Sequence, residues 1–169
     1  LVFSSILLVI VLFQSYFLVN NDQKVVVIPT NGHAYWLDGN NVSDSYLDGM
    51  GVFLSDLLLN KNPIDSHWRN QKVLEHVHPS FYHQIHKKLD SEAQLLEQNQ
   101  QSYVFRPYRS YTDRSSMEFI IEGLSAVYVG KEGHVPSCTY QQDTEYRLRF
   151  SYEGGRLLLT SLKQKEIKS

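Results

Sequence analysis

No charged residue interrupts the opening run "LVFSSILLVIVLFQSYFLV", and the first charge along the chain is Asp22. About 20 apolar residues in a helix cross the roughly 30 Å hydrocarbon layer of a bilayer, so the run predicts a transmembrane anchor over residues 1–20. Ser4, Ser5, Gln14 and Ser15 can be carried in such a helix by bonds to backbone or to neighbouring helices. Tyr16 and Phe17 suit an interface. The run is too long for a cleavable leader, and "YFLVNNDQ" lacks the small residues that a leader protease needs.

The pattern then becomes short and broken. "KVVVIP" is a β-branched run closed by Pro29 and predicts an isolated or edge strand. "TNGHAYWLDGNNVS" carries Asn-Gly, Asp-Gly and Asn-Asn and predicts a turn-rich connection, so residues 21–42 form a linker with a short strand. Ser43 or Asp44 caps the helix that follows.

From Tyr46 the period is helical. Tyr46, Leu47, Met50, Phe53, Leu54, Leu57 and Leu58 recur at three- and four-residue intervals and predict the core face of a first helix. Asn62 and Pro63 start a second over about 64–77, with Ile64, Trp68, Leu74 and Val77 turned inward. Pro79 opens a third, whose stripe is Phe81, Ile85, Leu89, Ala93 and Leu96.

Beyond "EQNQQS" the period changes to two. "SYVFRPYRSY", "MEFIIEGLSAVYVG", "TEYRLRFSY" and "RLLLTSL" predict four strands, and Gly154-Gly155 is a hairpin signal between the last two. Helices followed by hairpin-linked strands give an α+β domain, about three helices on a four-stranded antiparallel sheet, over residues 43–165 with a tail at 166–169.

Composition changes this picture little. The 169 residues suit one ordinary domain, and a net charge of −2 does not call for nucleic acid. The one cysteine, Cys138, excludes an internal disulfide and any Cys-x-x-C motif.

Candidate chemistry starts with "HVHPSFYHQIH", which gathers His76, His78, His83 and His86. His83 and His86 could offer two metal ligands from one helix, but no His-Glu-x-x-His, cysteine or pinned carboxylate accompanies them. His78 precedes a proline and marks a helix break, so no metal is expected. No Gly-x-Ser-x-Gly elbow or phosphate loop occurs, and Cys138 lacks a basic neighbour motif, so neither a catalytic residue nor a cofactor is expected. Glu118 and Glu122 share a strand face and are expected on a solvated edge. "YVFRPYRSYTDR" stands apart: Tyr103, Arg106, Tyr108, Arg109, Tyr111 and Arg114 combine the two residue types that interfaces favour as anchors. The same mixture could stack single-stranded nucleic acid, but the acidic balance favours a protein contact.

Taken in order, the anchor, "KVVVIP", the helical stretch with Ser45-Tyr46-Leu47, Met50, Phe53 and Leu58-Leu59-Asn60, then Val77, Pro79, Tyr82, Ile121-Glu122-Gly123 and Val129-Gly130 resemble the TraE family of conjugative type IV secretion systems. The resemblance covers nearly all of the chain and includes no catalytic motif. It implies a VirB8-like protein with a single inner-membrane anchor and a periplasmic domain of the NTF2-like class. The implied function is scaffolding of pilus assembly and DNA transfer, through self-association and contacts with other inner-membrane and periplasmic subunits, with no direct contact to nucleic acid. The histidines are not part of the family pattern. The alternative is a membrane-tethered NTF2-like domain that binds a small ligand, or acts as an enzyme, in the space between helices and sheet.

Overall fold

The computed structural model describes residues 11, 13–14, 25–27, 35–38, 41–130 and 136–167. It divides the chain into two compact units, Leu1–Ser43 and Asp44–Ser169.

In the first unit β1 (Val25–Val27), β2 (Tyr35–Asp38) and β3 (Asn41–Val42) pair antiparallel in that order. The strand expected at "KVVVIP" is, among the described residues, an edge strand paired with β2. The stretch expected to be a turn-rich connection instead supplies β2 and β3, with Leu37 opposite Val42. Tyr35, Trp36 and Leu37 are apolar and β-prone enough to pair. The predicted anchor lies outside the described residues except for Val11, Phe13 and Gln14, which are helical. No helix among the described residues is long and apolar enough to cross a membrane.

The second unit has the predicted α+β order. Helices α1 (Asp44–Leu59), α2 (Ser66–Leu74) and α3 (Pro79–Asn99) precede β4 (Gln101–Asp113), β5 (Glu118–Val129), β6 (Ser137–Glu153) and β7 (Arg156–Glu166). The four strands form one antiparallel sheet in the order β4-β5-β6-β7, so each neighbour in sequence is a neighbour in space. Gly154 and Gly155 both have positive φ, the conformation that a tight hairpin demands, and they turn β6 into β7.

The core lies between helices and sheet. Leu47, Leu54 and Leu58 of α1 and Ile85, Leu89, Ala93 and Leu96 of α3 are buried with Phe119, Leu148, Phe150, Leu157 and Leu159 of the sheet. The α3 stripe follows the predicted four-residue spacing. His78 caps that helix, its Nδ1 accepting the Ser80 amide at 3.2 Å, and Pro79 takes the first helical position, where a missing N–H costs nothing.

Three expected core residues lie at the surface: Phe53, Ile64 and Trp68 are 45%, 97% and 57% exposed. The cause at Ile64 and Trp68 is helix phase. Asn62 Oδ1 accepts the amides of Ile64 and Asp65, so these residues form a turn ahead of α2, which begins only at Ser66. That delay turns Ser66, Asn70 and Val73 inward instead. Asn70 is tolerated there because its Nδ2 donates to the Leu89 carbonyl at 2.9 Å. Phe53 sits at the flank of the α1 stripe and meets the His76 ring edge-on, with centroids 5.7 Å apart.

Glu118 and Glu122 also differ from expectation. Strand β5 is interior, flanked by β4 and β6, so neither carboxylate sits on an edge. Glu118 is buried and accepts from Arg149 Nη2 at 2.7 Å, and Glu122 faces Arg109 at 3.9 Å.

Candidate functional site

Both outer strands of a sheet carry unpaired backbone groups unless something covers them. The two breaks between helices do so here. Between α1 and α2, Lys61 exchanges two backbone bonds with Tyr103 of β4, at 2.8 and 3.0 Å, and Asn60 Oδ1 accepts the Phe105 amide at 2.8 Å. Between α2 and α3, Leu159 of β7 donates to the His76 carbonyl at 2.8 Å and accepts the His78 amide at 2.9 Å. The helix breaks thus close β4 at Tyr103 and Phe105 and β7 at Leu159.

On β4 the closure is followed by a bulge. The register slips between Pro107 and Arg109, opposite Gly123. Proline has no amide to offer the ladder, and a Cβ on Gly123 would lie 2.5 Å from the Arg106 carbonyl oxygen, so the two residues suit this kink. The bulge divides the predicted contact residues. Tyr103 lies before it on the helix side of the sheet, half-buried. Arg106, Tyr108, Arg109 and Tyr111 are exposed, and the Arg109 guanidinium lies over the Tyr111 ring at 5.5 Å. Arg114 belongs to the turn between β4 and β5. The strand therefore presents four of the six residues as one exposed strip and turns Tyr103 to a different environment.

Tyr103 lines a cavity of about 250 Å³ between α3 and the sheet, with Leu58, Leu89, Tyr140, Tyr146 and Gln164. Burial holds the phenols of Tyr103 and Tyr146 above their ordinary pKa, so both are neutral. Glu92 stands at the cavity and accepts from Lys61 Nζ at 3.2 Å. The Lys61 side chain is fully buried, and desolvation lowers its pKa despite the pull of Glu92 in the other direction. Sequence gave no sign of this pair: Lys61 lies between two asparagines in a helix break, and only the fold buries it.

Three of the described histidines have separate partners. His86 Nδ1 is 2.9 Å from Asp90, and His67 Nε2 is 3.0 Å from Glu97. His78 approaches Glu153 through Nε2 at 3.2 Å and Ser80 Oγ through Nδ1 at 2.7 Å. These are the members of a Ser-His-carboxylate relay, but the Nδ1 lone pair also holds the Ser80 amide, which is the geometry of a helix cap. Among the described residues no three His, Cys, Asp or Glu side chains converge on a metal position.

The family model described as "TraE protein" matches residues 1–164. The chain belongs to the TraE family. Among solved structures, a TraE protein in complex with 2-chloroisonicotinic acid superposes with a TM-score of 0.59 at 9% identity, over 74% of this chain and 97% of that one. The VirB8 protein of Agrobacterium tumefaciens gives 0.53 at 12% identity, over 75% and 94%. An IcmL-like type IV secretion system protein from Legionella pneumophila gives 0.51 at 10% identity, over 76% and 96%. At such identities the likeness is one of fold. No curated protein matches the chain.

For a TraE-family chain, the closure of β7 gives the histidine-rich segment a structural place: His76 and His78 contribute main-chain groups to it, and Val77 makes a parallel bridge with Leu159.

Proposed function

We propose that the chain is a non-enzymatic assembly component of a conjugative type IV secretion system, held in the inner membrane by residues 1–20 with the helix-and-sheet domain in the periplasm. The observation that carries this reading is the TraE family match over residues 1–164. The domain self-associates and joins other membrane and periplasmic subunits while the pilus and channel are built, and it contacts DNA at no step.

The exposed strip of Arg106, Tyr108, Arg109 and Tyr111 is the partner contact on β4, with Arg114 at its end. It combines broad aromatic faces with guanidinium groups, and the bulge at Pro107 keeps it from pairing as a flat edge. The cavity reading ranks second. Its 250 Å³ is below the usual 300–1,000 Å³ of small-molecule sites, and the charge at its rim is already used in the Lys61–Glu92 pair.

The test is DNA transfer from a donor lacking this gene, complemented with the full chain or with residues 21–169 exported alone. Restoration by the full chain only is the expected result. Transfer that persists after deletion would remove the proposed role.

A further inference from the structure

The second half of β7 is not closed. The Ile167 amide donates to the Asp143 carbonyl of β6, and backbone direction alternates along a strand, so Lys165 and Lys163 turn their N–H and C=O groups toward β6. Leu162, Gln164 and Glu166 then direct theirs away from the sheet, and among the described residues nothing bonds to them. This contrasts with Leu159 on the same strand and with Tyr103 on β4, whose outward N–H and C=O are both taken, and with the Phe105 amide.

The two faces beside this open edge differ in chemistry. On the helix side, Leu162 and Gln164 line the 250 Å³ cavity, walled mostly by leucine, valine and tyrosine, with Lys88 and Glu92, paired to each other, also lining it. On the other side, Lys163 and Lys165 line a groove with Glu118, Glu145, Arg147 and Arg149. Both carboxylates there are engaged by the arginines, at 2.7 Å in each pair. Lys163 and Lys165 have no ion-pair partner among the described residues.

We propose that the β7 edge from Ser161 to Glu166 receives an extended segment of another protein as a fifth strand of the sheet. Main-chain bonds to Leu162 and Gln164 give the affinity, as in other strand-addition sites. Side-chain period then sets the class of partner. Every second residue of the added strand faces the cavity and is apolar, and the residues between face Lys163 and Lys165 and are acidic. The ligand is thus a segment of alternating aliphatic and acidic residues. The proposal deepens the assembly reading, because it supplies one surface by which a neighbouring subunit is held.

The probe is a dye-labelled peptide of about ten residues alternating valine and glutamate, long enough to match a strand of this length, titrated against the full chain in detergent micelles. Saturable binding is expected. N-methylation of alternate amides should weaken it at least tenfold in the register where the methyl groups meet the edge, and not in the other. Gln164→Pro removes one edge amide on the solvent side, where proline is tolerated, and should also cost tenfold or more. The double variant Lys163→Glu/Lys165→Glu should prefer a valine-lysine peptide; this charge exchange carries the test should the proline variant fail to fold.

Absence of saturable binding, or equal binding of both N-methylated peptides, would overturn the proposal. So would loss of self-association in the Gln164→Pro chain, which would place a second copy on the edge. A chain that restores DNA transfer yet ignores the peptide retains the assembly role and loses this site; one that binds the peptide yet leaves transfer unrestored does the reverse.

Discussion

The ring of Phe119 fills the space that a side chain on Gly51 would occupy. Glycine inside a helix costs about 1 kcal/mol relative to alanine, and here that cost permits α1 to lie directly on β5. Gly51→Ala would drive a methyl group into the ring of a residue that is fully buried. The substitution is expected to lower stability by about 2–3 kcal/mol through overpacking, read as a fall in the urea midpoint. Adding Phe119→Leu should recover part of the loss, since contacting residues are not additive.

Lys61 and Glu92 should respond unequally to replacement. The lysine side chain is fully buried and the glutamate side chain is 26% exposed, so removing the carboxylate leaves a buried charge while removing the amine does not. Glu92→Gln is expected to cost about 3 kcal/mol, whereas Lys61→Met should be neutral or stabilising by about 1 kcal/mol. Chemical denaturation of the two variants decides it, and equal losses would contradict the burial argument.

His76 makes stability depend on pH. Burial, and after it the charge of Arg156, hold the imidazole below its ordinary value of 6.5. Glu75 pulls the other way and Lys72 adds to the depression. The unfolded chain therefore takes up a proton before the folded one does. The contribution is complete above about pH 6.5 and is lost as pH falls through the lowered value. Thermal midpoints measured downward from pH 7.5 should decline, and His76→Gln should flatten that part of the decline.

Arg109→Ala with Tyr111→Ala tests the β4 strip. The Arg109 side chain is 68% exposed and Tyr111 is 39% exposed, so the pair contributes little to folding. The thermal midpoint should correspond to a change within about 0.5 kcal/mol, the usual range for surface sites. Crosslinking of the chain into higher assemblies in cells should fall. Unchanged crosslinking would remove these two residues from the contact.

In the second unit the order of helices and strands was readable because the apolar period changes once there, from helical to two-residue, after residue 100, whereas β2 and β3 of the first unit were obscured by turn residues. The third helix was readable to its first residue, since Pro79 suits a first helical position and His78 before it marks a break; that His78 also caps the helix through its ring came only from the fold. The second helix was not. A turn held by Asn62 delays α2 and rotates its inward face from Ile64 and Trp68 to Ser66 and Asn70, and no hydrophobic pattern announces a buried serine and asparagine. At β4 the tyrosines and arginines were visible, but their division between two faces depends on a slip at Pro107 matched by Gly123 on the neighbouring strand. The β7 edge was hidden for a different reason: it is defined by where the main chain of other segments stops, and side-chain pattern carries no record of that.

Helix α2 is flanked by the two segments that close the sheet, Asn60–Lys61 on one side and His76–His78 on the other. A single local opening of this short helix would therefore release the start of β4 and the middle of β7 together. Amide exchange at Tyr103, Phe105, His78 and Leu159 would then share one protection level, set by that opening rather than by global unfolding. In the opened state both borders of the sheet would be bare at once. Exposed strand borders recruit other chains, so each opening of α2 would add transient pairing sites on β4 and β7 to the stretch of β7 edge that is open in the folded chain.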